Sequence, residues 1–208
     1  MIRYGRGKIA GMFAQLPPAT RAILFLNIGV FLAQLATRHA FDELFALMPL
    51  GPYFHAWQLV TYAFLHANWS HIFFNMLALY MFGGALERFW GPQRFVVYYL
   101  ACVLAAALVQ LATMTLSGVG EPTIGASGGV FGLLLAFALY FPRQRIILLF
   151  PPIPMPAWLF VTLYGLLELF LGVSGYQMGV AHFAHLGGML GGAVVILYWR
   201  ARGLEPRY

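Results

Sequence analysis

Gly125-Ala126-Ser127-Gly128-Gly129-Val130-Phe131-Gly132 opens an apolar run that continues to Phe141. Read as a helix, residues 127–141 are about 15 long, short of the ~20 needed to cross a bilayer. A serine among glycines at the mouth of a buried helix is badly placed if packing is its only job. It is well placed for a nucleophile that a substrate backbone must approach closely. The rest of the chain must then supply a base, oxyanion donors and a membrane setting.

Composition supplies the setting. Of 208 residues, 62% are hydrophobic and only 9% are charged, where a soluble domain carries roughly a quarter. Mean hydropathy is +0.79. The apolar runs are continuous rather than alternating, which favours helices over a membrane barrel. The chain therefore reads as an all-α polytopic membrane protein without a sizeable soluble domain. Its net charge of +6 sits in short loops and at the termini. That distribution sets membrane topology, and no nucleic-acid partner is expected. Cys102 is the only cysteine, so no intrachain disulfide forms. No long apolar stretch precedes the first span, and no cleaved signal peptide is expected.

Six spans are predicted, at 21–37, 69–88, 93–116, 127–141, 157–172 and 181–199. The plan is a basic N-terminal tail (1–20, with Arg3, Arg6 and Lys8), a six-helix membrane domain (21–200) and a C-terminal tail (201–208). Thr20 is the expected N-cap of the first span. Residues 38–68 are too apolar for a solvated loop and too broken for a span; Phe41, Leu44, Phe45, Leu47 and Met48 suggest a short amphipathic piece in the interface. Eleven of the twelve Lys/Arg residues fall on one side of this plan, and only Arg38 falls on the other. Both termini are then cytoplasmic, and the small six-span plan points to a bacterial cell (inner) membrane.

This topology gives the polar residues a depth. Ser127 lies at the outer end of a short, recessed fourth span, and His185 lies about one turn into the sixth. His71 and Asn75 share a face of the second by their i, i+4 spacing. Polar residues inside membrane helices are costly, and convergence at one depth marks a functional site. The set suits acyl transfer. Serine needs an adjacent base, histidine is the usual one, and Asn75, His71 and a helix-terminal N–H are suitable oxyanion donors. Phe131, one turn after Ser127, is placed to hold the imidazole by stacking. No acidic third member is evident.

His71-x-x-x-Asn75, Gly125-x-Ser127-Gly128 and Ala184-His185-x-x-Gly188-x-x-x-Gly192, with Gly83-Gly84-Ala85-Leu86-Glu87 closing the second span, resemble the rhomboid intramembrane serine proteases. The resemblance covers the whole six-span chain. It implies a rhomboid-like bundle and a Ser127–His185 dyad without an acid. His71, Asn75 and the Ser127 amide would form the oxyanion hole. Gly188 and Gly192 would let span six pack on span four. It also implies transmembrane protein substrates cut near a lateral gate at span five, with no metal or other cofactor. Two residues depart from the family pattern: Phe131 replaces a frequent tyrosine, and Trp57-Gln58 replaces a frequent Trp-Arg pair.

Each residue also has a plainer reading. Ser127 alone is an N-cap or packing residue, His185 a satisfied core histidine and Asn75 interhelical glue. His66 anchors a loop or lines a cavity, and His182 is structural or at the rim. Glu87 pairs with Arg88 or a loop donor. Glu168, towards the outer end of span five, has no assigned role. The alternative function is a catalytically silent rhomboid-like protein that binds membrane helices. Haem binding or transport is disfavoured, because the histidines gather at one end with Ser127 and no internal repeat is found. There is no His-Glu-x-x-His motif, and Asp42 is the only aspartate. The formal Gly-x-Ser-x-Gly match lacks its strand–turn–helix context.

Overall fold

The computed structural model describes residues 16–38, 40, 42–147, 152–175 and 179–205. Most of the expected basic N-terminal tail, Phe41, Pro151 and residues 206–208 of the expected C-terminal tail lie outside the described residues. The chain is mostly helical. Among the described residues, four helices are long and apolar enough to cross a membrane: α1 (Pro18–Ala36), α6 (Pro92–Ser117), α8 (Ala157–Ser174) and α9 (His182–Ala201). Between α1 and α6 lie the short α2 (Asp42–Phe45) and α3 (Gln58–Thr61), then α4 (Trp69–Ala78) and α5 (Gly84–Trp90). A wide π-helical turn, Leu79–Gly83, joins α4 to α5, so the helical path of the second apolar run is continuous but not straight. Helix α7 (Ser127–Tyr140) has 14 residues, roughly 21 Å at 1.5 Å per residue. That is less than the ~30 Å hydrocarbon core.

The connection after α7 departs from an all-α plan. Arg145–Ile147 (β1) pairs antiparallel with Pro154–Pro156 (β2), with Ile146 opposite Met155. Proline holds φ in the extended range and stops a helix, which explains strand in place of helix here. Only Met155 of β2 has an N–H to donate, so the pair stays small.

The bundle is built on α9, which packs most extensively on α6 and α7. Gly188 lies directly on the backbone of Gly128 in α7, and a side chain there would overlap the Gly128 carbonyl. Gly192 differs from expectation. Its neighbours are Tyr98 and Cys102 of α6, so it seats the sixth helix on the third rather than the fourth. Tyr98 explains why: its hydroxyl donates to the Gly132 carbonyl of α7 at 2.8 Å and fills the gap that α9 crosses.

The N-terminus of α1 is capped from afar. Thr20 is not the N-cap: the helix begins with Pro18, whose missing N–H costs nothing in a first turn. The amides of Ala19 and Thr20 donate to Glu87 Oε1 and Oε2 at 2.9 and 2.6 Å. Buried Glu87 therefore holds two orphan donors and meets the positive end of the helix dipole.

The connection before α4 is a folded layer. Gln58 is buried and fully engaged: Oε1 accepts from the amides of Met48 and His55, and Nε2 donates to the carbonyls of Leu44 and Tyr53. Gln34 of α1 accepts from the His66 amide at 2.9 Å and donates to Asp42 at 2.9 Å. Leu47 and Thr123 exchange backbone bonds, and the Gly125 amide donates to the Tyr62 carbonyl at 2.9 Å. The loop leading to Ser127 is thereby fixed to this layer. The His66 ring lies fully buried beside Phe31 and His71. Burial first, and then the neighbouring His71, push the His66 imidazole down to about 3.

Four outcomes follow for stability in detergent, read as unfolding midpoints. Gly188→Ala is expected to lose about 3 kcal/mol, because the clashing atoms are backbone. Gly165→Ala in α8 should be tolerated, since its nearest neighbours are Met189 side-chain atoms at 3.5 and 3.7 Å. Glu87→Gln should lose about 2 kcal/mol, because an amide accepts at one oxygen only and turns an N–H towards the second donor. For His66 the unfolded chain binds a proton below about pH 6.5 while the folded chain does not, until near 3. Stability should therefore fall with falling pH across that window, by at most about 1.4 kcal/mol per pH unit. His66→Leu should remove that part of the slope.

Candidate active site

Ser127 is the first residue of α7, and its side chain caps nothing. Its Oγ lies 2.8 Å from Nε2 of His185, in the first turn of α9. The plain N-cap reading of Ser127 therefore does not describe its contact. The Gly128–Gly188 contact produces this approach, because it sits one residue after the serine and three after the histidine. Phe131 lies one turn along α7 and stacks on the His185 ring, with centroids 4.2 Å apart and planes 5° off parallel. Stacking needs the ring and no hydroxyl, so phenylalanine serves here. Tyr164 of α8 also packs on Phe131, with ring centroids 4.9 Å apart and planes tilted by 46°.

His71 reaches the same place from α4. A Cβ built on Gly125 would stand 2.7 Å from His71 Nε2 and 3.7 Å from Ser127 Oγ. Gly125 has φ +127°, which side-chain-bearing residues rarely adopt. Glycine thus keeps open the space between imidazole and hydroxyl. His71 Nδ1 accepts from the Ala67 amide at 3.4 Å. In a neutral ring the proton is then on Nε2, which faces that space. Asn68 caps α4 by accepting from the His71 amide at 2.9 Å and sets where the helix starts. Asn75 is buried one turn on, and its Nδ2 donates to the His71 carbonyl at 3.0 Å, using one of its two N–H groups.

An acid is present, which corrects the expectation of a serine–histidine pair without one. Glu168 of α8 is buried, and its Oε2 lies 2.8 Å from Nδ1 of His185 and 2.7 Å from Nδ1 of His182. His182 is accordingly buried rather than at a solvent-facing rim. Sequence reasoning missed the assignment, although a signal existed. Glu168 is the only charged residue of α8, and a carboxylate within a membrane helix needs a partner at its own depth. His182 and His185 were the groups at that depth.

Among the described residues, Glu168, His182 and His185 form a group close enough to hold a metal ion, with ligand atoms within 4.8 Å. The spacing is that of hydrogen bonds. Two ligands of a tetrahedral zinc with bonds of 2.0–2.1 Å stand roughly 3.3 Å apart. Here one oxygen sits against both nitrogens, with no room for an ion between them.

A rhomboid domain matches residues 53–202. The chain is 30% identical over 202 residues to "Rhomboid protein 1, mitochondrial" of Saccharomyces cerevisiae, covering 88% of this chain and 56% of that protein. It is 31% identical to "Rhomboid-like protein 11, chloroplastic" of Arabidopsis thaliana, covering 84% and 62%. It is 26% identical to "Rhomboid protease AarA" of Providencia stuartii, covering 85% and 70%. The chain spans a little over half the length of the first two. With the matched domain taking in Ser127, His185, His71 and Asn75, the chain belongs to the rhomboid family.

Proposed function

We propose that this chain is an intramembrane serine endopeptidase that cleaves transmembrane segments of membrane proteins. The observation that carries the reading is the 2.8 Å contact between Ser127 Oγ and His185 Nε2, in a ring clamped by Phe131. The names of relatives such as "Rhomboid protease GluP" of Bacillus subtilis, 30% identical over 136 residues, support the same class.

In this reading all six apolar runs span the membrane between a basic N-terminal tail (1–20) and a C-terminal tail (201–208). Both termini are cytoplasmic and the protein lies in the cell membrane, as the arginine distribution favours. Because α7 is short, Ser127 is recessed below the outer surface. A substrate helix enters laterally and unwinds near its outer end. Small, helix-destabilising residues at the cut favour this, because a peptide bond must leave its helix before it can be attacked.

Ser127 Oγ then attacks the carbonyl carbon while its proton passes to His185 Nε2. The oxyanion is held by the Ser127 amide, which has no partner within the helix, by His71 Nε2–H and by the second N–H of Asn75. The carbon–nitrogen bond breaks as His185 returns the proton to the leaving amine. Water gives a proton to His185 and attacks the acyl-enzyme, and the new acid leaves as Ser127 is re-protonated. Every step is a proton transfer or acyl transfer within reach of these side chains, and none requires a cofactor.

The test is labelling by a fluorophosphonate together with cleavage of a transmembrane substrate in liposomes. Wild type is expected to do both. Ser127→Ala and His185→Ala should lose labelling and lower kcat by roughly 10⁴ or more. Asn75→Ala should lower kcat by roughly 10²–10³. Labelling that persists in Ser127→Ala would overturn the assignment. Labelling of wild type without cleavage of any transmembrane substrate would favour a helix-binding relative.

A further inference from the structure

We infer that Glu168 is the positioning residue that sets the tautomer of His185, and that His182 holds it in place. The inference rests on the reading of Ser127 as nucleophile and His185 as base.

An ionised carboxylate only accepts hydrogen bonds. With Oε2 2.7 and 2.8 Å from two Nδ1 atoms, both imidazoles must carry their proton on Nδ1. His185 Nε2 then presents a lone pair to the Ser127 hydroxyl, which donates to it. The opposite tautomer would set an N–H against that hydroxyl and a lone pair against the carboxylate. His182 is the complementary half. The proton on Nδ1 satisfies Glu168, while Nε2 is buried without a hydrogen-bond partner among the described residues. Among the described residues, His182 therefore makes its only polar side-chain bond to the acid. The two rings stand edge to face, 6.3 Å apart and 89° between planes, so they meet one oxygen from different directions.

The carboxylate also acts differentially. Beside a neutral imidazole it accepts one hydrogen bond. Once His185 has taken the serine proton, the same contact becomes an ion pair in a low-dielectric setting. The interaction therefore strengthens as the transition state forms, which raises kcat rather than tightening substrate binding.

The helix that brings this acid is unusual. Of the four long helices, α8 buries the smallest share of its residues. Beyond Val161, its one fully buried side chain is that of Glu168, while Leu163, Leu166, Leu167, Leu169, Phe170 and Val173 are exposed. The second half of α8 thus meets α9 through the residue that orients the base and through the close approach of Gly172 to His182 and Phe183. Base orientation and the position of this helix are one variable: displacement of α8 withdraws the acid from His185.

Two measurements test this. The first is nitrogen-15 NMR of histidine-labelled wild-type protein in detergent near neutral pH, assigned by comparison with His185→Asn and His182→Asn. It is read whether or not the protein cleaves a substrate. His185 is expected with Nδ1 protonated and Nε2 not; the reverse tautomer overturns the inference. The second is the kinetics of Glu168→Gln in liposomes, beside wild type and Ser127→Ala. The expected result is a kcat lowered by roughly 10²–10⁴, as for loss of a base-orienting carboxylate, with KM within about twofold. An unchanged kcat overturns the inference. A raised kcat, which a latch with no part in orienting the base would give, also overturns it. Failure of the underlying functional reading has a different signature, namely wild type that neither labels nor cleaves, or Ser127→Ala that still labels.

Discussion

The site depends on one contact between two backbones, the Gly128 carbonyl of α7 against Gly188 of α9. In lipid, helices gain little by hiding apolar side chains from one another, so close packing of small residues decides which helices touch. Here the approach leaves no room for a Cβ on Gly188. Its partners sit one residue past Ser127 and three past His185, so the separation of the helices becomes the separation of hydroxyl and imidazole. The 2.8 Å bond between them is thus a consequence of packing set a turn deeper in the bundle.

Around that contact, polar groups are satisfied across long sequence distances. Glu168 accepts from two imidazoles of another helix, Glu87 from two amides of the first, and Tyr98 and Tyr62 donate to carbonyls of α7 and α6. Gln58 satisfies four groups of a loop with no charge at all. That bears on its place in a position where related chains frequently carry arginine. A neutral amide suits this buried connection, because its oxygen accepts from two backbone amides, which a guanidinium without an acceptor cannot do, and it avoids the desolvation cost of a cation.

Periodicity and the shortness of the fourth apolar run were enough to outline the helices. Ser127, His185, His71 and Phe131 were legible because each stands out locally: a serine among glycines, histidines inside apolar runs, a ring one turn from the serine. What could not be read was which partner each isolated polar group meets. Glu168 and Glu87 were visible as carboxylates in helices, but their partners lie 17 and 68 positions away. Thr20 looked like a cap by type and position, yet a glutamate from the second apolar run does the capping. The family resemblance implied that Gly192 packs on the fourth helix; two glycines four apart share a face of α9, but their spacing does not show that Tyr98 intervenes. The β1–β2 pair was hidden for a related reason. A proline-rich stretch signals the end of a helix, but not that two such pieces lie side by side.

The cap on α1 has a consequence for biogenesis. The amides of Ala19 and Thr20 are completed by Glu87, which leaves the ribosome 68 residues after Ala19. At roughly 5–20 residues per second, that is a delay of about 3–14 s. During it the first span is fully made, yet the start of its helix has only water for a partner. The other end of the helix meets its partners Asp42 and His66 earlier, so the first turn of α1 is the part completed last, when the second apolar run brings the carboxylate that displaces that water.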